Sequence, residues 1–189
     1  MRRPFTRLLL PITYLRIVLV PVVMALVMAG HHSGHAFVAA ALVFFVAAST
    51  DFLDGYLARR WRSTSTLGSF LDTTADKLLV SGALIALVAV DRANLWVAFV
   101  IIGRELVILG LRGVAAATGT IVKPSIWGKL KANIQFLAIL LAMLRYPHHL
   151  GPWFLDQWVM LAAAAVTVVS GVEYLLRFSS VLSPSDTTP

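Results

Sequence analysis

The chain has 189 residues, of which 59% are apolar and 13% charged, and its mean hydropathy is +0.83. A water-soluble monomer of this length could not bury so much apolar surface, so the composition excludes an ordinary soluble domain. The net charge of +7 is carried mostly by short segments beside apolar runs, without a basic tail, which argues against nucleic acid as a partner. Cysteine is absent, so disulfides and thiolate metal sites are excluded.

Six apolar runs follow one another along the chain. Each is about 20 residues long, enough for a helix to cross a hydrocarbon core of about 30 Å. Short polar breaks separate them, so neighbouring helices should be antiparallel. The pattern predicts an all-α, polytopic six-transmembrane-helix bundle in a single domain over residues 1–178, followed by a disordered tail rich in Ser, Thr and Pro over residues 179–189. The predicted helices are 8–29, 36–60, 67–90, 95–117, 126–144 and 153–176.

The distribution of lysine and arginine predicts the orientation of this bundle. Cytoplasmic segments of membrane proteins are enriched in these residues. One side of the predicted bundle has only Arg92 and Arg145, so we expect the other side to be cytoplasmic. Both termini then lie in the cytoplasm, and the protein is a multi-pass protein of the plasma or inner membrane. The predicted cytoplasmic cations are Arg2, Arg3, Arg7, Arg59, Arg60, Arg62, Lys123, Lys129, Lys131 and Arg177.

Four of the nine acidic residues lie close together at the predicted cytoplasmic ends of the second and third helices: Asp51, Asp54, Asp72 and Asp76. Each pair has helical spacing, i to i+3 or i to i+4, so each pair shares one face of its helix. A short connection brings the two faces together. Carboxylates in apolar surroundings require compensating charge, and oxygen ligands of this kind suit Mg²⁺ or Mn²⁺. The cluster therefore predicts a divalent metal site.

Small residues continue the same helix faces. Gly55 and Ala58 follow the first pair of aspartates, and Gly68 precedes the second pair. They predict a groove beside the carboxylates, wide enough for a flat base or a diphosphate. Arg59 extends this stripe by one turn, where a guanidinium can bind phosphate with two hydrogen bonds. Close packing between helices is the alternative explanation for the small residues.

These eight residues satisfy the pattern D-x2-D-G-x2-A-R-x8-G-x3-D-x3-D, written here as DFLDGYLAR, RWRSTSTL and GSFLDTTAD. The chain thus resembles the CDP-alcohol phosphatidyltransferases, integral membrane enzymes with a six-helix core. The resemblance implies transfer of a phosphatidyl group from CDP-diacylglycerol to an alcohol, with two metal ions on the aspartates. It also implies that Asp76 is the general base, that Gly55, Ala58, Arg59 and Gly68 bind the CDP-lipid, and that the enzyme is a homodimer. Lys77 is expected to face away from this site.

Cations outside the aspartate cluster predict an anionic acceptor. Arg104 and Arg112 are eight residues apart on the fourth helix, and Lys129 and Lys131 begin the fifth. Cations in apolar helices are unfavourable unless paired, so these four residues are predicted to bind the acceptor phosphate. Pairing with Glu105, or extension of the side chains to the membrane surface, is the alternative.

The segments GRELVILGLR and SIWGKLKANIQ resemble the corresponding region of phosphatidylglycerophosphate synthases, as does the T-x-x-R formed by Thr13 and Arg16. This resemblance implies that sn-glycerol 3-phosphate is the acceptor. Two departures are the residues before Thr13, which lack the usual Asn-Pro, and Ala132, where Thr is common. A cardiolipin synthase using phosphatidylglycerol, and more distantly a phosphatidylinositol phosphate synthase, are alternatives within the superfamily. A divalent-cation transporter is the alternative outside it.

Overall fold

The structure is a computed structural model that describes residues 6–61, 66–117, 126–147 and 149–182. Within these ranges, the side chains of residues 6–12, 51–61, 66–70, 117, 126, 129, 149–150 and 180–182 lie outside the description. The predicted all-α fold is confirmed, because helices form nearly all of the described chain. The elements are α1 (Thr6–Ala29), α2 (Gly34–Trp61), α3 (Thr66–Ala89), α4 (Leu95–Ala117), α5 (Ile126–Leu144), β1 (His149–Leu150), β2 (Trp153–Phe154) and α6 (Leu155–Leu182).

Each predicted apolar run corresponds to one helix, and the main differences are at the two ends of α6. A two-residue antiparallel hairpin, turning at Gly151 with φ of 69°, delays the start of this helix to Leu155. At its other end α6 continues to Leu182, so residues 179–182 are helical and do not belong to the predicted tail. The Ser179 hydroxyl donates to the carbonyl of Leu176 within the helix, and positions 181 and 182 are again apolar. Residues 183–189 lie outside the described chain.

The central core contains buried residues of all six helices. Helix α1 packs on α3 and α2, and α6 packs on α5 and α4. Helices α1 and α3 approach closely at Gly82, where an added Cβ would lie 2.6 Å from Cγ1 of Val20. A side chain at this position would force the two helices apart, because protein interiors have few voids. Glycine therefore permits the extensive contact between α1 and α3. The largest buried apolar side chains of the core are Val23, Val27, Phe44, Leu79, Leu84, Leu87, Ile101, Ile139 and Met143.

The outer surface of the bundle is apolar on all six helices, and the exposed large side chains include Leu15, Val18, Leu42, Phe45, Leu78, Ile85, Phe99, Leu106, Leu130, Leu137, Leu161 and Leu176. Apolar patches of this extent are unusual for a monomer in water. By length and hydropathy, α6 contains a described segment able to cross a bilayer, Leu155–Ser179. Thr13–Ala29, Gly34–Thr50 and Leu130–Leu144 are shorter apolar stretches. Six crossings remain a prediction.

Two arginines connect helix ends at one end of the bundle. Nη1 of Arg92 donates to the carbonyl oxygens of Met143 at 2.6 Å and Ala142 at 3.2 Å, at the C-terminus of α5. Its Cζ lies 3.4 Å from the centroid of the Phe37 ring. Arg145 forms a salt bridge with the buried Asp156 at 3.3 Å. These contacts join the connections after α3 and α5 to the start of α6, at the end of α3 opposite to Asp72.

Candidate functional site

Two of the predicted site aspartates meet at one buried arginine. Asp72 and Asp76 lie one turn apart near the start of α3, and Nη1 of Arg16 on α1 is 3.0 Å and 3.5 Å from their Oδ1 atoms. Arg16 is only 1% exposed, and its Nε donates to the carbonyl oxygen of Ala47 on α2 at 3.2 Å. A single guanidinium therefore connects three helices and holds both carboxylates toward the same point.

The donor set at this point suits a divalent cation. The side chains of Asp72 and Asp76 are 36% and 45% exposed, so a ligand can reach the carboxylates that Arg16 holds from the buried side. Carboxylate oxygens are the donors that Mg²⁺ prefers in proteins. The turn of α2 that begins at Ala47, whose carbonyl binds Arg16, leads directly to positions 51 and 54. The residues that are described thus fit the predicted metal.

Several predicted site residues can be located only on the backbone. Helix α2 carries positions 51, 54, 55, 58 and 59, and the first turn of α3 carries position 68. The side chains of Asp51, Asp54, Ala58 and Arg59, and the surroundings of the two glycines, lie outside the described residues. Among the side chains that are described, no group of three or more His, Asp or Glu is close enough to bind a metal alone. The four-aspartate site therefore stays a prediction.

Asp76 also borders a cavity of about 420 Å³ between α2, α3, α4 and α5. Ala48 and Val80 contribute apolar walls, and Ala132 and Phe136 lie on the α5 side. The remaining lining is polar and comprises Ser49, Asp76, Lys77, Glu105, Lys131, Asn133 and Gln135. The cavity is large enough for a small phosphorylated alcohol, and it places two lysines beside the predicted general base.

Glu105 is the centre of the polar lining. It is 4% exposed and accepts from Nζ of Lys77 at 2.7 Å through Oε2, whereas Nζ of Lys131 and Nη1 of Arg104 donate to Oε1. The Arg104 contact measures 3.2 Å. Three cations surround one carboxylate, so the cluster has an excess of positive charge, and two of the three cations, Lys77 and Lys131, line the cavity. Such an excess is complementary to an anionic ligand.

The predicted acceptor residues do not all reach this cavity. Lys131 lines it, whereas Arg104 lies behind Glu105 and donates to the Ser170 hydroxyl on α6 at 2.6 Å. Gly171 leaves room for the Arg104 stem, whose Cγ would lie 3.1 Å from an added Cβ. Arg112 is not among the described lining residues, and its Cζ lies 5.5 Å from the centroid of the Tyr174 ring. The side chain of Lys129 lies outside the described residues.

Sequence reasoning did not assign four polar side chains of this region to the site. Arg16 and Gln135 enter the predictions only through motifs, and Lys77 is expected to face elsewhere, although it lines the cavity. Glu105 enters only as the alternative partner of the acceptor cations, and the structure shows this pairing for Arg104 and Lys131. Gln135 is buried and donates to Oγ1 of Thr167 on α6 at 2.8 Å. An isolated ionisable residue inside an apolar helix was the available signal, because such residues face the bundle interior and pair there.

Comparison with known proteins identifies the family of this chain. The sequence model of the CDP-alcohol phosphatidyltransferase family matches residues 10–169, so the chain belongs to the CDP-alcohol phosphatidyltransferases. This assignment defines the chain as an enzyme of that class. The family is generally dependent on a divalent metal. Family membership confirms the resemblance inferred from the eight-residue motif.

Individual relatives are similar over most of the chain. A Bacillus subtilis (strain 168) protein named CDP-diacylglycerol--glycerol-3-phosphate 3-phosphatidyltransferase is 38% identical over 186 residues, covering 93% of this chain and 96% of that protein. A Pseudomonas fluorescens protein of the same name is 38% identical over 171 residues, covering 87% and 86%. A probable phosphatidylglycerophosphate synthase of Mycobacterium tuberculosis (strain CDC 1551 / Oshkosh) is 40% identical over 169 residues, covering 88% and 78%.

Proposed function

We propose that the protein transfers the phosphatidyl group of CDP-diacylglycerol to sn-glycerol 3-phosphate, giving phosphatidylglycerophosphate and CMP. The names of the similar proteins support this choice of substrates. The observation that carries it in this chain is the position of Asp76, which borders the lysine-lined cavity and contacts Arg16 together with Asp72. One carboxylate thus lies between a site for charged phosphate and the predicted metal site.

The CDP-lipid is assigned to the metal side of Asp76. Asp51, Asp54, Asp72 and Asp76 would hold Mg²⁺ or Mn²⁺, two ions in our proposal, and the metal would neutralise the diphosphate as the bond to CMP breaks. Arg16 keeps the carboxylates of Asp72 and Asp76 in place from the buried side. Gly55, Ala58, Arg59 and Gly68 are proposed to bind the nucleotide.

The acceptor is assigned to the cavity. Lys131 binds the phosphate of sn-glycerol 3-phosphate, with Arg104 behind Glu105 adding positive charge; Lys129 and Arg112 are proposed to attract the anion to this side. A hydroxyl of the bound acceptor then faces Asp76, whose carboxylate accepts its proton. The hydroxyl oxygen forms a bond to the phosphorus that carries diacylglycerol, and the bond from that phosphorus to CMP breaks.

Membrane topology forms part of the proposal. All six helices cross the bilayer, with the site and both termini at the cytoplasmic side. The apolar outer surface of every helix supports this arrangement, as does the excess of lysine and arginine near the site. The homodimer implied by the family resemblance is also proposed, and it rests on that resemblance alone.

Cardiolipin synthesis remains the second candidate reaction, with phosphatidylglycerol as acceptor. Its acceptor carries one phosphodiester charge, whereas the Glu105 cluster beside the cavity has three cations around one carboxylate. A phosphate monoester matches this excess better. Cation transport is the candidate outside the enzyme class, and it would require acidic residues along a path through the bundle.

The deciding experiment supplies purified protein with CDP-diacylglycerol, Mg²⁺ and one acceptor at a time, and then identifies the lipid and measures CMP. We expect phosphatidylglycerophosphate with sn-glycerol 3-phosphate. Cardiolipin formed from phosphatidylglycerol, without phosphatidylglycerophosphate, would reject the proposal in favour of the second candidate. In sealed vesicles, metal flux without CMP release would favour transport.

A further inference from the structure

Glu105 binds two lysines that come from different helices. Lys77 on α3 contacts Oε2 at 2.7 Å, and Lys131 on α5 contacts Oε1. Each ammonium group therefore has its own carboxylate oxygen, and the two groups lie on different sides of one planar anion. Both lysines and Glu105 line the cavity that contains Asp76. The carboxylate thus determines where the two ammonium groups lie relative to each other.

Charge compensation alone does not explain this arrangement. One carboxylate balances one cation, yet Glu105 is surrounded by Lys77, Lys131 and Arg104, all largely buried. Buried charges without compensation are strongly unfavourable. The other carboxylate of the cavity, Asp76, is paired with Arg16, so the Glu105 cluster has a surplus of two positive charges. This surplus corresponds to the charge of a fully ionised phosphate monoester. Any contribution of Glu105 to the binding of such a group must therefore come from something other than its own negative charge.

Lysine side chains are flexible, and ordering one on binding reduces affinity. Contacts to Glu105 order both lysines in the folded protein before any ligand is bound. Lys77 also follows Asp76 directly in α3, so an anion held by Lys77 is tied to the helix that carries the predicted base. Preorganisation of this kind strengthens binding even though Glu105 itself repels anions.

We propose that Glu105 is a positioning residue that fixes the ammonium groups of Lys77 and Lys131 to receive the phosphate monoester of the acceptor, and that Lys77 is a binding residue of this site. This inference rests on the proposed function. It predicts that the site binds a dianionic phosphate monoester more tightly than a singly charged phosphodiester. The two negative charges of the monoester can each pair with one of the fixed ammonium groups, whereas the phosphodiester has a single charge.

The charge and positioning roles of Glu105 predict opposite effects in Glu105→Gln. If only the sum of charges matters, removing a negative charge lowers KM for sn-glycerol 3-phosphate. If positioning matters, this KM rises by about 10- to 100-fold, the loss expected when hydrogen bonds to charged groups are removed. The KM for CDP-diacylglycerol should remain within about twofold, because that substrate is bound elsewhere. Glu105→Asp, which retains the carboxylate, should recover part of the loss.

The matched control is Glu173→Gln on α6, where the carboxylate pairs with the exposed Arg177 at 2.6 Å and is not among the described lining residues. This variant should have wild-type KM values. An unchanged or lower KM for sn-glycerol 3-phosphate in Glu105→Gln overturns the inference. Equal increases in both KM values, together with a lower thermal midpoint, also overturn it, since they indicate a structural role only.

A binding measurement separates this inference from the choice of acceptor. Inorganic phosphate should raise the thermal midpoint of the detergent-purified wild type and of Glu173→Gln, but not of Glu105→Gln. Phosphate that protects all three proteins, or none, overturns the inference. If wild type makes no phosphatidylglycerophosphate, the proposed acceptor is wrong, but the phosphate result still decides the role of Glu105. If Glu105→Gln does not fold, Lys77→Gln replaces it in both experiments. The inference is then rejected if Lys77→Gln has the same protection by phosphate and the same KM for the acceptor as wild type.

Discussion

Nη1 of Arg16 lies 3.0 Å from Oδ1 of Asp72, although the two residues are on different helices and 56 positions apart in the chain. The arginine is buried, whereas the aspartate is open to ligands on its other side. Helix α1, which contributes none of the predicted metal ligands, therefore shapes the site by holding carboxylates of α3. Hydrogen bonds from a neighbouring side chain to metal-binding carboxylates orient these ligands and raise metal affinity.

Arg16→Lys should weaken metal binding. Lysine keeps the positive charge but cannot contact the carbonyl of Ala47 and both carboxylates through a rigid fork. We expect the Mg²⁺ concentration for half-maximal CMP release to rise by about 10- to 100-fold. Loss of bound Mn²⁺, followed by electron paramagnetic resonance, should show the same shift. Arg177→Lys, an exposed arginine on α6, is the control, and equal metal affinity in both variants would contradict the role of Arg16.

Asp72→Asn should abolish most of the turnover. The amide retains the shape of the side chain but is a poor ligand for a hard cation, and metal ions contribute several kcal/mol to catalysis. A reduction of kcat by about 10²- to 10³-fold is expected. The control is Asp91→Asn, because Asp91 is exposed at a φ of 55°, a conformation that asparagine tolerates. Wild-type turnover in Asp72→Asn would refute the metal site.

Thr167→Val should destabilise the protein. The Thr167 hydroxyl accepts from Gln135 and donates to the carbonyl of Ala163, and both side chains are buried. Interhelical hydrogen bonds in membranes contribute about 0.6 kcal/mol on average, and orphaned buried groups add to the loss. We expect the thermal midpoint in detergent to fall by about 2–4 °C. In a double-mutant cycle with Gln135→Leu, purely additive changes in the thermal midpoint would show that the two side chains are not coupled.

Arg92→Ala should affect stability alone. The guanidinium binds the last carbonyls of α5 and stacks on Phe37, and Asp76 lies about 20 Å away along α3. Removing these contacts should lower the unfolding free energy by about 2 kcal/mol, seen as a lower thermal midpoint. Turnover measured at low temperature should stay within about twofold of wild type. A large fall in kcat without loss of stability would show that this end of the bundle contributes to catalysis.

Single cysteines can test the orientation, because the chain contains none. Ser33→Cys lies between α1 and α2, and Ser179→Cys lies near the end of α6; both side chains are exposed. With a membrane-impermeant maleimide on intact cells, we expect Ser33→Cys to react directly and Ser179→Cys to react only after permeabilisation. The reverse pattern would invert the proposed topology. Equal reaction of the two cysteines would place them on the same side of the membrane and so exclude an odd number of crossings between them.

The sequence alone was sufficient to predict the all-α class, the approximate bounds of the helices and the family. Apolar runs of fixed length predict helices whatever surrounds them, and the spacing of Asp51, Asp54, Asp72 and Asp76 is a local property of two helices. The ends of α6 were less predictable, because composition favoured a tail where the helix continues and periodicity does not reveal a two-residue hairpin.

Only the tertiary structure showed which helices contact one another, and hence which charges pair. Arg16 meets Asp72 and Asp76 because α1 packs on α3, and Glu105 meets Lys77 and Lys131 because α3, α4 and α5 surround one cavity. The position of a residue along a helix predicts which face of the helix it lies on, but not which other helix packs against that face. The burial of these cations, and the single carboxylate that orders two of them, follow from packing between segments far apart in the chain.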